Sequence, residues 1–409
     1  MSMSHSRSLV IPFFLAACGM AQPPAVSTLH SFRGAPSDGS RPQSGVTAGS
    51  GGVLYGTAQR GGSSNAGIVY SLTPPSPGGA WTETVLYNFT GPDGAGPDSD
   101  VALDGAGVLY GTTREGGVWD AGTVFSLAPP SAPGAAWTEA VLYSFTGGDD
   151  GAYPLRGVTF GVGGVLYGST NGGGSWGAGT VFSLSPPAAP GAAWTEALLY
   201  TFIGPAQAVN PSGLVIGAGG VLYGATYSGA PPYLGNGTIF SLAPPTSPDG
   251  VWTQTMLCAL TSEDDGPRAG LAIGSGGVLY GTSYGGDGSV FSVTPPAAPG
   301  DPWTLAVLYH FAGFADGSGP EAGVAIGPGG VLYGTTESGG SSNYGTVFSL
   351  APPSAPGGSW TFHGLYSFPG GGAGEYPSKG TVTLHEGIIF GTTGRGGGTN
   401  DGTVYSLRP

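Results

Sequence analysis

The sequence predicts an all-β protein: a seven-bladed β-propeller with four-stranded blades, its ring closed by the N-terminal strand pairing with the C-terminal blade. Three observations predict it. One unit recurs seven times, each unit holds four short strand-like runs, and the two ends of the chain carry complementary fragments of a unit.

The repeat is anchored by the string Val-Leu-Tyr-Gly-Thr. Its aromatic position falls at Tyr55, Tyr110, Tyr167, Tyr223, Tyr280, Tyr333 and Phe390, 53 to 57 residues apart. About ten residues later comes Gly-Thr-Val-Phe-Ser-Leu, as at 122–127 and 179–184. A Pro-rich loop follows, then Trp-Thr with a terminal Leu-Tyr-x-Phe, as at 137–145 and 194–202. A short Gly-Val-x-x segment such as Gly157-Val158-Thr159-Phe160 precedes the next anchor. In chain order these runs are strands a (Gly-Val), b (Leu-Tyr-Gly-Thr), c (Thr-Val-Phe-Ser-Leu) and d (Trp-Thr…Phe). Each is rich in Val, Tyr, Phe and Thr and bounded by Gly or Pro, which is strand chemistry punctuated by turns. None keeps a 3.6-residue period, so no helix is expected beyond the N-terminal signal. Four strands per ~56-residue unit fit a propeller better than a solenoid, whose coils run about 20–30 residues.

The ends favour a ring. The last unit stops after strand c at Thr403-Val404-Tyr405-Ser406-Leu407, and the first opens with an orphan strand d, Thr28-Leu29-His30-Ser31-Phe32. A closed ring uses that offset and removes the exposed edges that open sheets must protect.

Ahead of the ring, residues 1–8 are polar and Leu9 to Ala17 form a nine-residue apolar run. A membrane-spanning helix takes about 20 residues, so the run suits the core of an export signal. Leu15-Ala16-Ala17-Cys18-Gly19 resembles a bacterial lipobox, with Cys18 as the lipidated residue; Gly19-Met20-Ala21 offers ordinary cleavage instead. The expected organisation is a signal with lipobox at 1–18, a tether at 19–26 and the propeller at 27–409. The expected location is outside the cytoplasm, at the cell envelope, lipid-anchored or secreted.

The unit resembles the tandem GloVer repeat of exported bacterial "choice-of-anchor" proteins. The residues that carry the resemblance are Asp150-Gly151-Ala152-Tyr153-Pro154, Gly164-Val165-Leu166-Tyr167-Gly168-Ser169-Thr170 and Gly179-Thr180-Val181-Phe182-Ser183-Leu184. The resemblance covers roughly residues 28–409. Unit four departs from it, reading Gln207-Ala208-Val209-Asn210-Pro211 where the others have Asp-Gly, and unit seven has Phe390 for Tyr. The resemblance implies an exported propeller and brings no catalytic residue.

Composition excludes several functions. Ten Lys+Arg stand against 24 Asp+Glu, a net charge of −14, which repels nucleic-acid backbones. The only lysine, Lys379, lies outside any P-loop motif. The five histidines have no zinc-type pairing in sequence, and two cysteines make no disulfide framework. Gly173-Gly174-Ser175-Trp176-Gly177 fits GxSxG, but no helix or histidine accompanies it in that unit. Cys258 replaces the usual Tyr of strand d and reads as a small apolar side chain.

Acidic Asp-Gly pairs recur at Asp38, Asp93, Asp150, Asp265 and Asp316 and read first as tight turns. The weaker alternative is calcium, with Asp149, Asp150, Asp264 and Asp265 as candidate ligands. No other cofactor is expected. Variation between units marks one face. In a four-stranded meander the b–c and d–a loops share it, and they carry Trp119, Trp176, Tyr233 and Tyr344, then Tyr153, Phe314 and Tyr376. Arg60, Arg114 and Arg395 stand just before the b–c loops. These aromatics are the candidate ligand platform. An enzyme would break the repeat symmetry with a convergent acid, base and cation, and the sequence alone shows no such convergence. The expectation is therefore a monomeric, non-enzymatic binding module for a glycan or protein ligand. The alternatives are a glycan lyase or hydrolase on the same face, or a structural spacer.

Overall fold

The structure, a computed structural model, describes residues 26–409 except 77–78, 133, 190, 205–207, 230–235, 248–249, 261–265, 299, 356 and 378. The signal, Cys18, Tyr233, Asp264 and Asp265 lie outside the described residues. Among the described residues no helix is long and apolar enough to cross a membrane.

Seven antiparallel sheets stand around one axis, each an a-b-c-d meander. Blade 3 is typical, with strands Thr159–Phe160, Leu166–Thr170, Thr180–Ser185 and Thr195–Thr201. In blade 7 the inner strands are Thr383–His385, Ile388–Arg395 and Thr403–Leu407. Its outermost strand is Val26–Ser31, antiparallel to strand c with Thr28 opposite Tyr405. The a–b turns depart from the expected absence of helix: most hold a single 3-10 turn, such as Ser50–Gly52 and Val162–Gly164. The second residue of these turns has positive φ (+68° at Gly51), which glycine adopts without steric cost.

The repeated aromatics are the mortar between blades. The strand-c Phe reaches over the strand-b Gly of its own sheet; a Cβ on Gly111 would come within 2.6 Å of the Phe125 ring. That is why the anchor reads Tyr-Gly-Thr. The Phe ending strand d then meets the next blade's strand-c ring edge-on, as in Phe89–Phe125 and Phe145–Phe182, both with centroids 5.1 Å apart. The strand-b Tyr receives the neighbouring blade's strand-d Trp in the same manner (Tyr55–Trp137, 6.1 Å). The apolar clusters accordingly join two blades each: Val124 and Phe145 of blade 2 pack with Leu166, Phe182 and Leu184 of blade 3. Each fully buried Phe contributes about 1.5–3 kcal/mol of burial.

The Asp-Gly carboxylates act as turn clamps. Asp150 accepts from the Tyr143 hydroxyl (3.0 Å), the Thr146 N–H (2.8 Å) and the Thr146 hydroxyl (2.5 Å). Asp93 and Asp316 repeat the arrangement with Tyr87 and Tyr309.

Candidate functional site at the axis

Two sets of equivalent positions open on the axis, on the face that carries the b–c and d–a loops. Pairing between these loops, such as Ala95 with Glu115 and Ala152 with Gly172, holds them together. The first set follows the Pro of each d–a loop and includes Gln43, Asp98, Arg268 and Glu321. The position after it supplies Arg156 in blade 3, Lys379 in blade 7 and, where the step from Pro to the strand-a glycine is one residue shorter, Ser212 in blade 4. The second set lies four residues after the strand-b aromatic: Gln59, Arg114, Asn171, Tyr227, Tyr284, Glu337 and Gly394. Strands b and c are almost the same in all seven blades, yet these positions differ from blade to blade.

The two sets line joined axial cavities of about 290, 300 and 360 Å³. Lys379 lines all three, and Asp98 and Arg156 line the first two. Arg114, Arg156, Arg268, Lys379 and Arg395 all face these cavities, which is half of the ten cationic side chains in a strongly acidic chain. Below the charges, the strand-a entry glycines of adjacent blades crowd together; a Cβ on Gly380 would collide with the Gly45 backbone. Asp100 replaces glycine in this collar, and its carboxylate accepts the Gly45 N–H of the preceding blade at 2.5 Å.

The charges are held in place. Arg156 donates to the carbonyl oxygens of Lys379 (3.1 Å) and Arg268. Burial lowers its pKa, opposed by Asp98 and Asp100. Arg268 pairs with buried Glu321 and lies over the Tyr284 ring, 3.8 Å from its centroid. Asp98 is only 8 % exposed and its Oδ1 has no hydrogen-bond partner. Burial pushes its carboxyl up, against the pull of Lys379, Arg156 and Arg114. Glu337 is raised by burial and by Glu321, with Tyr284, Lys379 and Arg268 opposing. An ordered buried carboxylate facing a cavity without a donor is costly, so it marks a place where a ligand hydroxyl or a water would be held.

Acids and cations therefore do converge, which corrects the sequence reading on that point. The reason is geometric. Residues as far as 281 positions apart, Asp98 and Lys379, share the axis only once the ring closes, and no local motif joins them. The signal that finds them is the difference between copies at one equivalent position, taken for polar residues as well as aromatic ones.

The aromatic candidates are distributed differently. Tyr376 lines the 360 Å³ axial cavity beside Lys379 and Glu337, and the Arg395 guanidinium lies 5.7 Å from its ring centroid. Tyr344 meets Tyr376 edge-on at 5.7 Å and packs against the core of blade 7. Trp119 and Trp176 are 64 % and 68 % exposed and stand away from the axial cavities. Their loops fold outward, with the Val118 N–H donating to Ser144 at the end of strand d. Tyr153 and Phe314 are exposed. Asp149 accepts a 3.3 Å bond from the Ser175 hydroxyl in the outer loop.

A model of the Gloeobacter/Verrucomicrobia repeat matches residues 20–231, 139–298 and 210–409. The chain belongs to this repeat family. No curated protein matches it. Solved propellers share its fold. A putative 6-phosphogluconolactonase from Bacteroides uniformis is 17 % identical, with TM-score 0.53 over 85 % of this chain and 89 % of that one. The periplasmic gluconolactonase PpgL of Pseudomonas aeruginosa is 16 % identical, with TM-score 0.52 over 79 % and 84 %. PorZ, a surface component of the type-IX secretion system of Porphyromonas gingivalis, is 12 % identical, with TM-score 0.52; the match covers 91 % of this chain and 47 % of that one. At these identities the likeness is one of fold.

Proposed function

We propose that this repeat-family propeller is an exported binding module of the cell envelope whose ligand enters the axial cavities, and that the ligand is a carboxylate-bearing sugar. One observation carries the reading: half of the cationic side chains meet at the axis around Asp98, whose buried oxygen has no partner. Arg114 and Lys379 supply charge for an anionic group, and Asp98 and Asn171 supply acceptors and donors for ring hydroxyls. A cavity of about 300 Å³ suits one or two sugar rings and is too narrow for a folded partner.

The test is calorimetric titration with galacturonate, trigalacturonate and neutral galactose. The acidic sugars should bind and galactose should not. Lys379→Ala should weaken binding about ten- to hundredfold, because a hydrogen bond to a charged group is worth about 1.5–3 kcal/mol. Equal affinity for acidic and neutral sugars would overturn the reading.

A second reading, a glycan lyase or hydrolase at the same place, is favoured by one feature. Asp98 and Glu337 are both raised by burial beside Arg156, Arg268 and Lys379, the arrangement of a proton-transfer group near charge-stabilising cations. Shortening of trigalacturonate during the same titration, lost in Asp98→Asn, would favour the enzyme.

A further inference from the structure

At the seam where the chain ends meet, a second cluster stands apart from the axis. His30 lies on the outermost strand of blade 7, Asp38 on the segment leading into blade 1, and Glu83 on strand d of blade 1. One His30 ring nitrogen and one ligand oxygen from each carboxylate all lie within 4.8 Å of one another. Nε2 is 3.3 Å from Asp38 Oδ2. Oε1 of Glu83 is buried and has no hydrogen-bond partner, a feature it shares with Glu139 and Glu196 at the same position of the next two blades, so the imidazole is what sets the seam apart.

The repeat itself provides the control. Blades 1 and 2 build the same three positions with their successors, as Tyr87–Asp93–Glu139 and Tyr143–Asp150–Glu196. There the phenol donates its proton to the aspartate, at 2.6 Å and 3.0 Å. At the seam an imidazole takes the place of the phenol. Unlike the phenol, the imidazole can turn a nitrogen lone pair, rather than a donor, toward a cation held beside the two carboxylates.

We propose that His30, Asp38 and Glu83 bind a divalent transition-metal ion, with zinc as the best match, and that the ion clamps the seam of the ring. A neutral imidazole and two carboxylates are an N/O donor set of the kind zinc takes, with ligand distances of about 2.0–2.2 Å and water completing the shell. His30 and Asp38 already stand at a separation that two ligands of one ion occupy, so Glu83 is the side chain that closes. The three ligands come from blade 7, the connecting segment and blade 1. An ion held by all three would oppose peeling of the Val26–Ser31 strand, and binding to the folded state alone raises stability by mass action.

The experiment is titration of chelator-stripped full-length protein with zinc chloride, read by calorimetry and by melting temperature. The expected result is one equivalent bound and a melting temperature that rises with zinc. His30→Tyr installs the residue that other blades carry, so the ring should form; it should lose the bound equivalent and the shift. Glu83→Gln should weaken zinc binding at least tenfold and serves as the readout if the first variant does not fold. No zinc-dependent shift in the wild type, or an undiminished equivalent in either folded variant, would overturn the proposal. Lys379→Ala should leave zinc binding intact, which separates this site from the axial one.

Discussion

The blade bodies and the axial rim are built from the same seven units and obey opposite rules. In the bodies, a residue at one position is almost the same in every copy: Phe125, Phe182, Phe240, Phe291 and Phe348 occupy one strand-c site and are all fully buried. At the rim, one position reads Gln59, Arg114, Asn171, Tyr227, Tyr284, Glu337 and Gly394 in turn. Packing between identical neighbours is satisfied by the same side chain each time. A site on the symmetry axis is shared by all copies, so each can contribute something different without disturbing its own blade.

The largest effect should come from breaking a body. Phe182→Ala removes a ring wedged between Phe145 and Gly168 and should cost about 3–5 kcal/mol in denaturant unfolding. Lys379→Ala at the rim should change stability by no more than about 0.5 kcal/mol, since its side chain faces cavities and only its backbone carbonyl holds Arg156. Similar losses in both variants would erase the distinction.

A smaller effect sharpens the boundary between blades. Burial and Asp93 push the Glu139 carboxyl from its ordinary 4.5 to about 7, while its bond with Tyr87 pulls the other way. Between those values the folded chain holds a proton that the unfolded chain has released. Stability therefore falls as pH rises from about 4.5 through about 7, and the cost is complete above that. Glu139→Gln should raise the melting temperature at pH 8 and leave it unchanged at pH 4. The check is a melting series across that range, and a gain that does not vary with pH would contradict the assignment.

Much of this was legible in the sequence. The period, the four runs per unit and the split last blade specify the ring. The packing logic of Tyr-Gly-Thr was not, because nothing in a single strand says that a ring from the next strand lies over Gly111. The axial charges were half legible. Arg114 and Arg395 stand beside variable loops, but Arg156, Arg268 and Asp98 sit in segments that read as turns leading into strand a. Their importance appears only when blades 2, 3, 5 and 7 are brought to a common centre. The large exposed rings Trp119 and Trp176 draw more attention in a sequence than buried Asp98 does.

At the strand-c Phe site the body rule has two exceptions, and they flank the seam. Tyr70 and Tyr405 stand where the other blades have Phe, fully buried, with hydroxyls that have no hydrogen-bond partner. Burial drives both phenols well above their ordinary pKa. Replacing Tyr70 by Phe restores the repeat residue and removes a desolvated hydroxyl, so it should stabilise the protein by about 1 kcal/mol. Chemical denaturation measures it, and a loss of stability would mean that the hydroxyl is solvated within the seam.

The smallest expected effect concerns the outer loops. Trp119 and Trp176 project from b–c loops folded over strand d, mostly exposed, and touch none of the axial cavities. Removing both rings should leave stability within about 0.5 kcal/mol, as for surface positions without a special contact. Under the axial reading it should also leave trigalacturonate affinity unchanged. The aromatic-platform reading expects otherwise: two stacking contacts of about 0.5–1.5 kcal/mol each would be lost, a fall of roughly 5- to 150-fold in affinity. A Trp119→Ala, Trp176→Ala double variant, set beside Lys379→Ala in the same titration, decides between them. Loss of binding in the double variant alone would move the site to the rim of the disc. Loss in the lysine variant alone would keep it on the axis, where the seven copies disagree most.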